Sequence, residues 1–164
     1  QITLMTYNED EHGHFEKYDI GNDGKYISSV DSDGSKKKYI YTGDRVTRIE
    51  HPGSQSSHNL TWDSRGNLVK FENSDTQSPY KWEATYDNKI NPVESLDFPG
   101  AIEEFPRLGW HNNVLTHKDV EGYSKGSSTF SYTYNNSGKP ITGSVNWVDS
   151  DGDAGSLYII YVYK

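Results

Sequence analysis

The sequence predicts an all-β protein: a soluble antiparallel meander of repeat hairpins, about twelve strands, rolled or barrel-like. Three observations lead there. An Asp/Asn-x-x-Gly turn pattern recurs along the chain, ring-bearing residues alternate with polar ones between the turns, and the composition is that of sheets. The 164 residues include thirteen Tyr, four Trp and fifteen Gly but one Met, and only 32% are hydrophobic. β-branched and aromatic residues suit pleated, half-buried surfaces, while Gly, Asn, Asp and Ser suit the links between them. At this length the chain is expected to be a single domain over residues 1–164.

The turns come first because they set the frame. The pattern occurs at Asp10–Gly13, Asp31–Gly34, Asp63–Gly66, Asp97–Gly100, Asp119–Gly122, Asn135–Gly138 and Asp149–Gly152. Chance would supply about two or three such spacings. A carboxylate or amide at the first position can accept hydrogen bonds from its own turn, and Gly at the fourth takes positive φ without a Cβ clash. Asn22-Asp23-Gly24 and Gly43-Asp44 add further turn signals. Aromatics ahead of many turns, Tyr18, Tyr41, Trp62, Tyr86, Trp110 and Tyr134, are spaced 23, 21, 24, 24 and 24 residues apart. That period holds one hairpin and its link.

The strands follow in order. Tyr39 and Tyr41 share a face, as do Phe130, Tyr132 and Tyr134, with Ser131 and Thr133 opposite. In Leu60–Phe71, LTWDSRGNLVKF, two strand-like runs flank a turn. Asn91–Gly109, NPVESLDFPGAIEEFPRLG, breaks the rhythm with three prolines, each of which removes a ladder donor. This irregular 91–109 loop is expected to cap one end of the sheet, with Phe98, Ile102, Phe105 and Leu108 as anchors. The terminal run SLYIIYVYK is apolar on both faces, which predicts a central or closing strand. No segment has useful helical periodicity.

Charge narrows the partners. Sixteen basic against twenty-four acidic residues give net −8, which argues against nucleic acid and anionic lipid. Faces opposite the aromatics carry Ser, Thr, Lys and Glu, so the chain is not expected to span a membrane through its strands. The absence of Cys removes thiolate chemistry and Cys-ligated zinc. The chain begins at Gln1 without Met, so a removed or omitted leader is expected, and export with it.

Several chemical readings compete with structural ones. Asp149, Asp151 and Asp153 imitate the start of a calcium loop, but the sixth and twelfth positions are Ala154 and Ile160 rather than Gly and Glu. The turn reading is preferred, with weak calcium binding as the alternative, and no cofactor is expected. His12 and His14 flank Gly13, which suits a turn better than a metal site. Glu94, Glu103 and Glu104 are the candidates for a glycoside hydrolase, the most distant reading, and GSQSS and GSS lack a nucleophile elbow. Carbohydrate recognition would use flat rings; Trp110 with His111, Trp82 and Trp147 are the candidate ligand-binding residues.

The units YIYTGDRVTRIE, LTWDSRGNLVKF and YTYNNSGKPITG resemble the tyrosine–aspartate repeats of bacterial Rhs-type proteins. The chain from Lys36 onward also resembles a secreted or lipid-anchored family of gut Bacteroidetes with a porin-like fold, in which repeat-like hairpins flank a motif similar to ATYDNKINPVESL. That resemblance implies an exported β-meander at the cell envelope, periplasmic or on the outer-membrane surface and anchored by lipid through the leader. It brings no enzymatic activity and no catalytic residues. The expected function is therefore non-enzymatic, a binding or structural module whose partner is a glycan or another envelope protein.

Overall fold

The computed structural model describes residues 2–7, 15–54, 56–75, 77–91, 111–122 and 125–163. Twelve strands occur among them: β1 (Ile2–Tyr7), β2 (Phe15–Ile20), β3 (Tyr26–Asp31), β4 (Lys36–Thr42), β5 (Arg45–His51), β6 (Ser56–Trp62), β7 (Leu68–Asn73), β8 (Tyr80–Ile90), β9 (Asn112–Glu121), β10 (Ser127–Tyr134), β11 (Pro140–Val148) and β12 (Ala154–Ile160). Their order in the sheet is their order in the chain, and no pairing joins β12 to β1 among the described residues. The fold is thus the expected all-β meander, open in its strand order, and the described residues include no helix. The capping role expected of the 91–109 loop falls on residues 92–110, outside the described set.

The turns explain the topology. Asp31, Asp63, Asn135 and Asp149 each use one side-chain oxygen to accept the backbone N–H two and four residues on, at 2.9–3.2 Å. In the same turns the residue-four N–H returns to the carbonyl of residue one, and that fourth residue is a glycine at φ 76–96°. A short side chain thereby satisfies donors that a reversing backbone would leave unpaired, and only Gly takes that φ without strain. Consecutive strands joined this way must pair antiparallel.

The residues fall into two compact units, 1–60 with 73–76 and 61–72 with 77–164. In the first, Tyr18, Tyr39, Val46, Ile49 and Leu60 are buried. The hydroxyls of Ser29 and Tyr39 lie 3.2 Å apart, so the buried phenol keeps a polar partner. In the second, Leu68, Phe71, Trp82, Ala84, Tyr86, Val114 and Val145 are buried. Along β8 the alternation is plain: Trp82, Ala84 and Tyr86 point inward, whereas Glu83 and Thr85 are exposed. Burying each large side chain contributes roughly 1.5–3 kcal/mol.

Polar pairs cover the opposite faces. Thr85 and Thr116 hydroxyls lie 2.6 Å apart, Thr133 and Thr142 likewise, and Ser131 and Ser144 lie 2.9 Å apart. Lys70, Glu72, Lys81 and Glu83 form an ion array with contacts of 2.8–3.8 Å. The hydroxyl pairs and Glu72–Lys81 cross between strands and favour one register at a few tenths of a kcal/mol each.

The terminal strand departs from expectation. β12 is not a central or closing strand: it pairs with β11 alone among the described residues, and Leu157, Tyr158 and Ile160 are exposed. Apolarity on both faces here marks an uncovered edge rather than burial on both sides.

Candidate functional site

The chemistry-bearing groups of the second unit converge where β8 leaves the sheet and β9 enters it. Tyr86 pairs with Val114 and Ile90 with Asn112, so Asp87, Asn88 and Lys89 lie opposite the single residue Asn113. This bulge removes ladder hydrogen bonds, and side chains replace them. Asp87 Oδ1 accepts the N–H of Lys89 at 2.9 Å and that of Asn113 at 3.1 Å. Its Oδ2 accepts Asn113 Nδ2 at 3.2 Å and a short hydrogen bond from the Tyr134 hydroxyl. The amides of Asn112 and Asn113 both donate to the Lys89 carbonyl, at 3.0 and 3.4 Å.

The β6–β7 turn joins this cluster through Asn67, whose side chain is fully buried. Asn67 Nδ2 donates to Asp63 Oδ2 and to Asn112 Oδ1, and its Oδ1 accepts the Asn112 N–H, all at 2.9 Å. Arg65 donates from Nη1 to the Asp87 carbonyl at 2.7 Å. Tyr86 donates its hydroxyl to the Leu68 carbonyl at 2.6 Å. An amide carries both donor and acceptor, so two Asn side chains can bridge strands as backbone would.

Electrostatics follow from this geometry. Burial pushes the Asp63 carboxyl up, but hydrogen bonds from the Asn67 side chain and from the Asn67 and Arg65 backbone prevail and leave it below the usual value. Burial pushes the Tyr134 phenol well above its ordinary value, helped by donation to the Asp87 carboxylate and by that group's charge. Burial also raises Tyr86 and Tyr132. Both carboxylates of the cluster are engaged by donors fixed on the backbone or on buried amides.

Of the residues singled out in the sequence, Trp82 is 1% exposed. Its indole stacks on Phe71 at 5.9 Å and 5° and meets the His117 ring at 5.2 Å. With those neighbours it has no face for a sugar, which corrects its place among the ligand-binding candidates. Trp147 is 40% exposed and leans across Gly155, where an added Cβ would overlap its benzo ring. His111 is half-buried, and its carbonyl accepts the Asn91 N–H at 2.9 Å, tying together the two ends of the 92–110 segment. Trp110, Glu94, Glu103, Glu104, His12 and His14 lie outside the described residues. Asp149, Asp151 and Asp153 sit on one exposed turn, with Asp149 turned onto its own backbone; no group of three metal-ligating side chains occurs among the described residues.

None of Asn67, Asn112 and Asn113 stands out in the sequence. For Asn112 and Asn113 the signal that could have found them is an Asn inside a strand run, where β-propensity disfavours it, whereas Asn67 closes the β6–β7 turn. Tyr86, Asp87 and Asn91, by contrast, belong to the quoted motif ATYDNKINPVESL, and all three lie in or beside the cluster.

A β-meander stapled by this cluster is the class of protein the geometry defines. Its fold is similar to the crystal structure of a porin-like protein from Bacteroides uniformis, with a TM-score of 0.57 and 13% identity over 96% of this chain and 76% of that one. At that identity the likeness is one of fold. No protein-family model matches the chain, and no curated protein sequence matches it. The tyrosine–aspartate repeat resemblance finds no support in these comparisons.

Proposed function

We propose that the chain is a non-enzymatic binding or structural module of a bacterial cell envelope, exported and held by a lipid anchor in the periplasm or on the outer-membrane surface. The fold likeness to a porin-like Bacteroides protein supports the compartment. One observation carries the binding role. Among the uncovered apolar side chains of the second unit, Val148, Tyr158 and Ile160 lie on one face of the β11–β12 pair, and Trp147 and Leu157 on the other. Exposed apolar side chains on an edge strand mark an interaction surface. Surface labelling of cells with a membrane-impermeant reagent, combined with detergent-phase partitioning of the full-length product, tests the compartment; a product found in the cytosol refutes it.

Carbohydrate recognition is the second reading, favoured by the Trp147 indole laid over Gly155 with part of its surface in solvent. Sugar C–H groups pack on such rings. A glycan array with the wild type and Trp147→Ala decides it. Binding lost in the variant supports the reading, and an array without a hit removes it.

A further inference from the structure

We propose that the free edge of β12 pairs antiparallel with β12 of a second copy of this chain. This rests on the reading of β11 and β12 as an interaction surface and names its occupant.

Hydrogen bonding fixes which groups are available. Asp149 donates its N–H to the Asp153 carbonyl at 2.9 Å, and Tyr161 donates to the Ile141 carbonyl at 3.1 Å. Between these bonds the β11–β12 register runs without a shift, from Val148↔Ala154 to Thr142↔Ile160. In an antiparallel ladder alternate residues face the partner, so Gly155, Leu157 and Ile159 turn their backbone groups to β11. Ser156, Tyr158 and Ile160 turn theirs outward. Natural edge strands are blunted by Lys, Pro or bulges. From Ala154 to Tyr163, AGSLYIIYVY, there is no charge and no proline, and the pairing has no bulge. Tyr158 is 64% and Ile160 68% exposed.

Charge selects a second copy and sets its direction. Exposed Asp149, Asp151 and Asp153 stand at the start of β12. At its other end the Lys139 ammonium lies 5.1 Å over the Tyr163 ring, and no carboxylate pairs with it among the described residues. A two-fold axis at Tyr158 sets Ser156 opposite Ile160 of the other copy, and Asp153 opposite Tyr163 with its Lys139. Both ends of the ladder then match acid with base, whereas parallel pairing would match like with like. Such an interface is isologous, and one strand pair is small enough to be concentration-dependent.

Sedimentation equilibrium of the 164-residue chain from about 10 to 500 µM reads the association. The wild type is expected to dimerise across that range, with dimer weakening as salt rises. Tyr158→Pro removes only an outward N–H and Ile160→Lys charges the edge; both are expected to be monomeric with unchanged thermal midpoints. Asp153→Lys and Lys139→Glu alone each weaken the dimer at least threefold, and the double swap restores it. A wild type monomeric throughout overturns the proposal, as does a dimer indifferent to the edge variants or a double swap without rescue. A monomer that still binds glycan would refute the dimer while leaving the binding reading intact.

Discussion

Replacing Asn67 by Ala tests whether the amide bridge holds β7 to β9. The structure gives the magnitude. Three hydrogen bonds of 2.9 Å are lost, and two groups of Asn112, its N–H and its Oδ1, are left in a residue that is itself buried. A buried polar group stripped of its partner costs about 1–3 kcal/mol. Asp63 keeps its turn donors, so its share is smaller. The expected loss is about 3–5 kcal/mol, or on the order of 10 °C in Tm for a chain of this size. Urea unfolding followed by the fluorescence of buried Trp82 measures it.

Two companion variants separate this cause from simple packing loss. Asn67→Asp keeps the acceptor for the Asn112 N–H but sets a carboxylate against Asp63 and the Asn112 carbonyl oxygen. It is expected to destabilise at least as much as Ala at pH 7 and to recover in part as pH falls below about 4, where carboxyls protonate. In the cycle of Asn67→Ala with Asn112→Ala, the double variant is expected to lose at least 1 kcal/mol less than the sum, about the coupling contacting residues show. A loss under about 1 kcal/mol for Asn67→Ala, or additive single losses, would refute the bridge.

Trp82→Ala, which removes the ring stacked on Phe71 and tilted against His117, is expected to cost about 3–5 kcal/mol in urea unfolding followed by circular dichroism, and exposed Trp147→Ala under about 1 kcal/mol. Gly155→Ala puts a methyl into the Trp147 indole; a cost of about 1–2 kcal/mol and a change in Trp147 emission are expected by urea unfolding and fluorescence. Alkali should unfold the protein. Tyr86, Tyr132 and Tyr134 are held above the ordinary phenol value, chiefly by burial. Their stabilising share is complete below the unfolded tyrosine value of about 10 and is lost above it, because the unfolded chain gives up protons that the folded chain keeps. The phenolate absorbance of these three, taken by difference against their Tyr→Phe variants, should therefore change together with circular dichroism above about pH 10, and phenolate of these three forming well before unfolding would contradict the assigned environments.

What the sequence disclosed was what its physics keeps local. The Asp/Asn-x-x-Gly turns at Asp31, Asp63, Asn135 and Asp149 are closed within five residues and are legible from spacing, but Asp119–Gly122 has the same spacing and is no such turn: Asp119 lies in β9 and accepts the Tyr80 hydroxyl instead. Strand faces were legible where apolar and polar residues alternate, as along Phe130, Tyr132 and Tyr134, with Ser131 and Thr133 exposed opposite. The Asn67–Asn112 bridge was not, because its members lie 45 residues apart, one closing a turn and the other opening a strand, and no local spacing joins them. β12 was misread for a different reason: apolar residues on both faces are the same signal in a strand covered on both sides and in an uncovered edge. Trp82 and Trp147 were alike in sequence as well, and only the neighbours of each ring separate them.

Asp87 shows how one local device becomes a long-range one. In the four regular turns the side-chain oxygen accepts the N–H two residues on, and then the N–H four residues on in the same loop. Asp87 Oδ1 makes the first of these bonds, to Lys89 N–H, but β8 does not reverse there. The chain runs on to Ile90, so the second bond goes to Asn113 on β9 instead. One residue of β9 then faces three of β8, and the strands stay joined across a bulge that lacks its backbone ladder. The segment 92–110 therefore departs from a stapled pair of strands, with Asn91 and His111 hydrogen-bonded at its base.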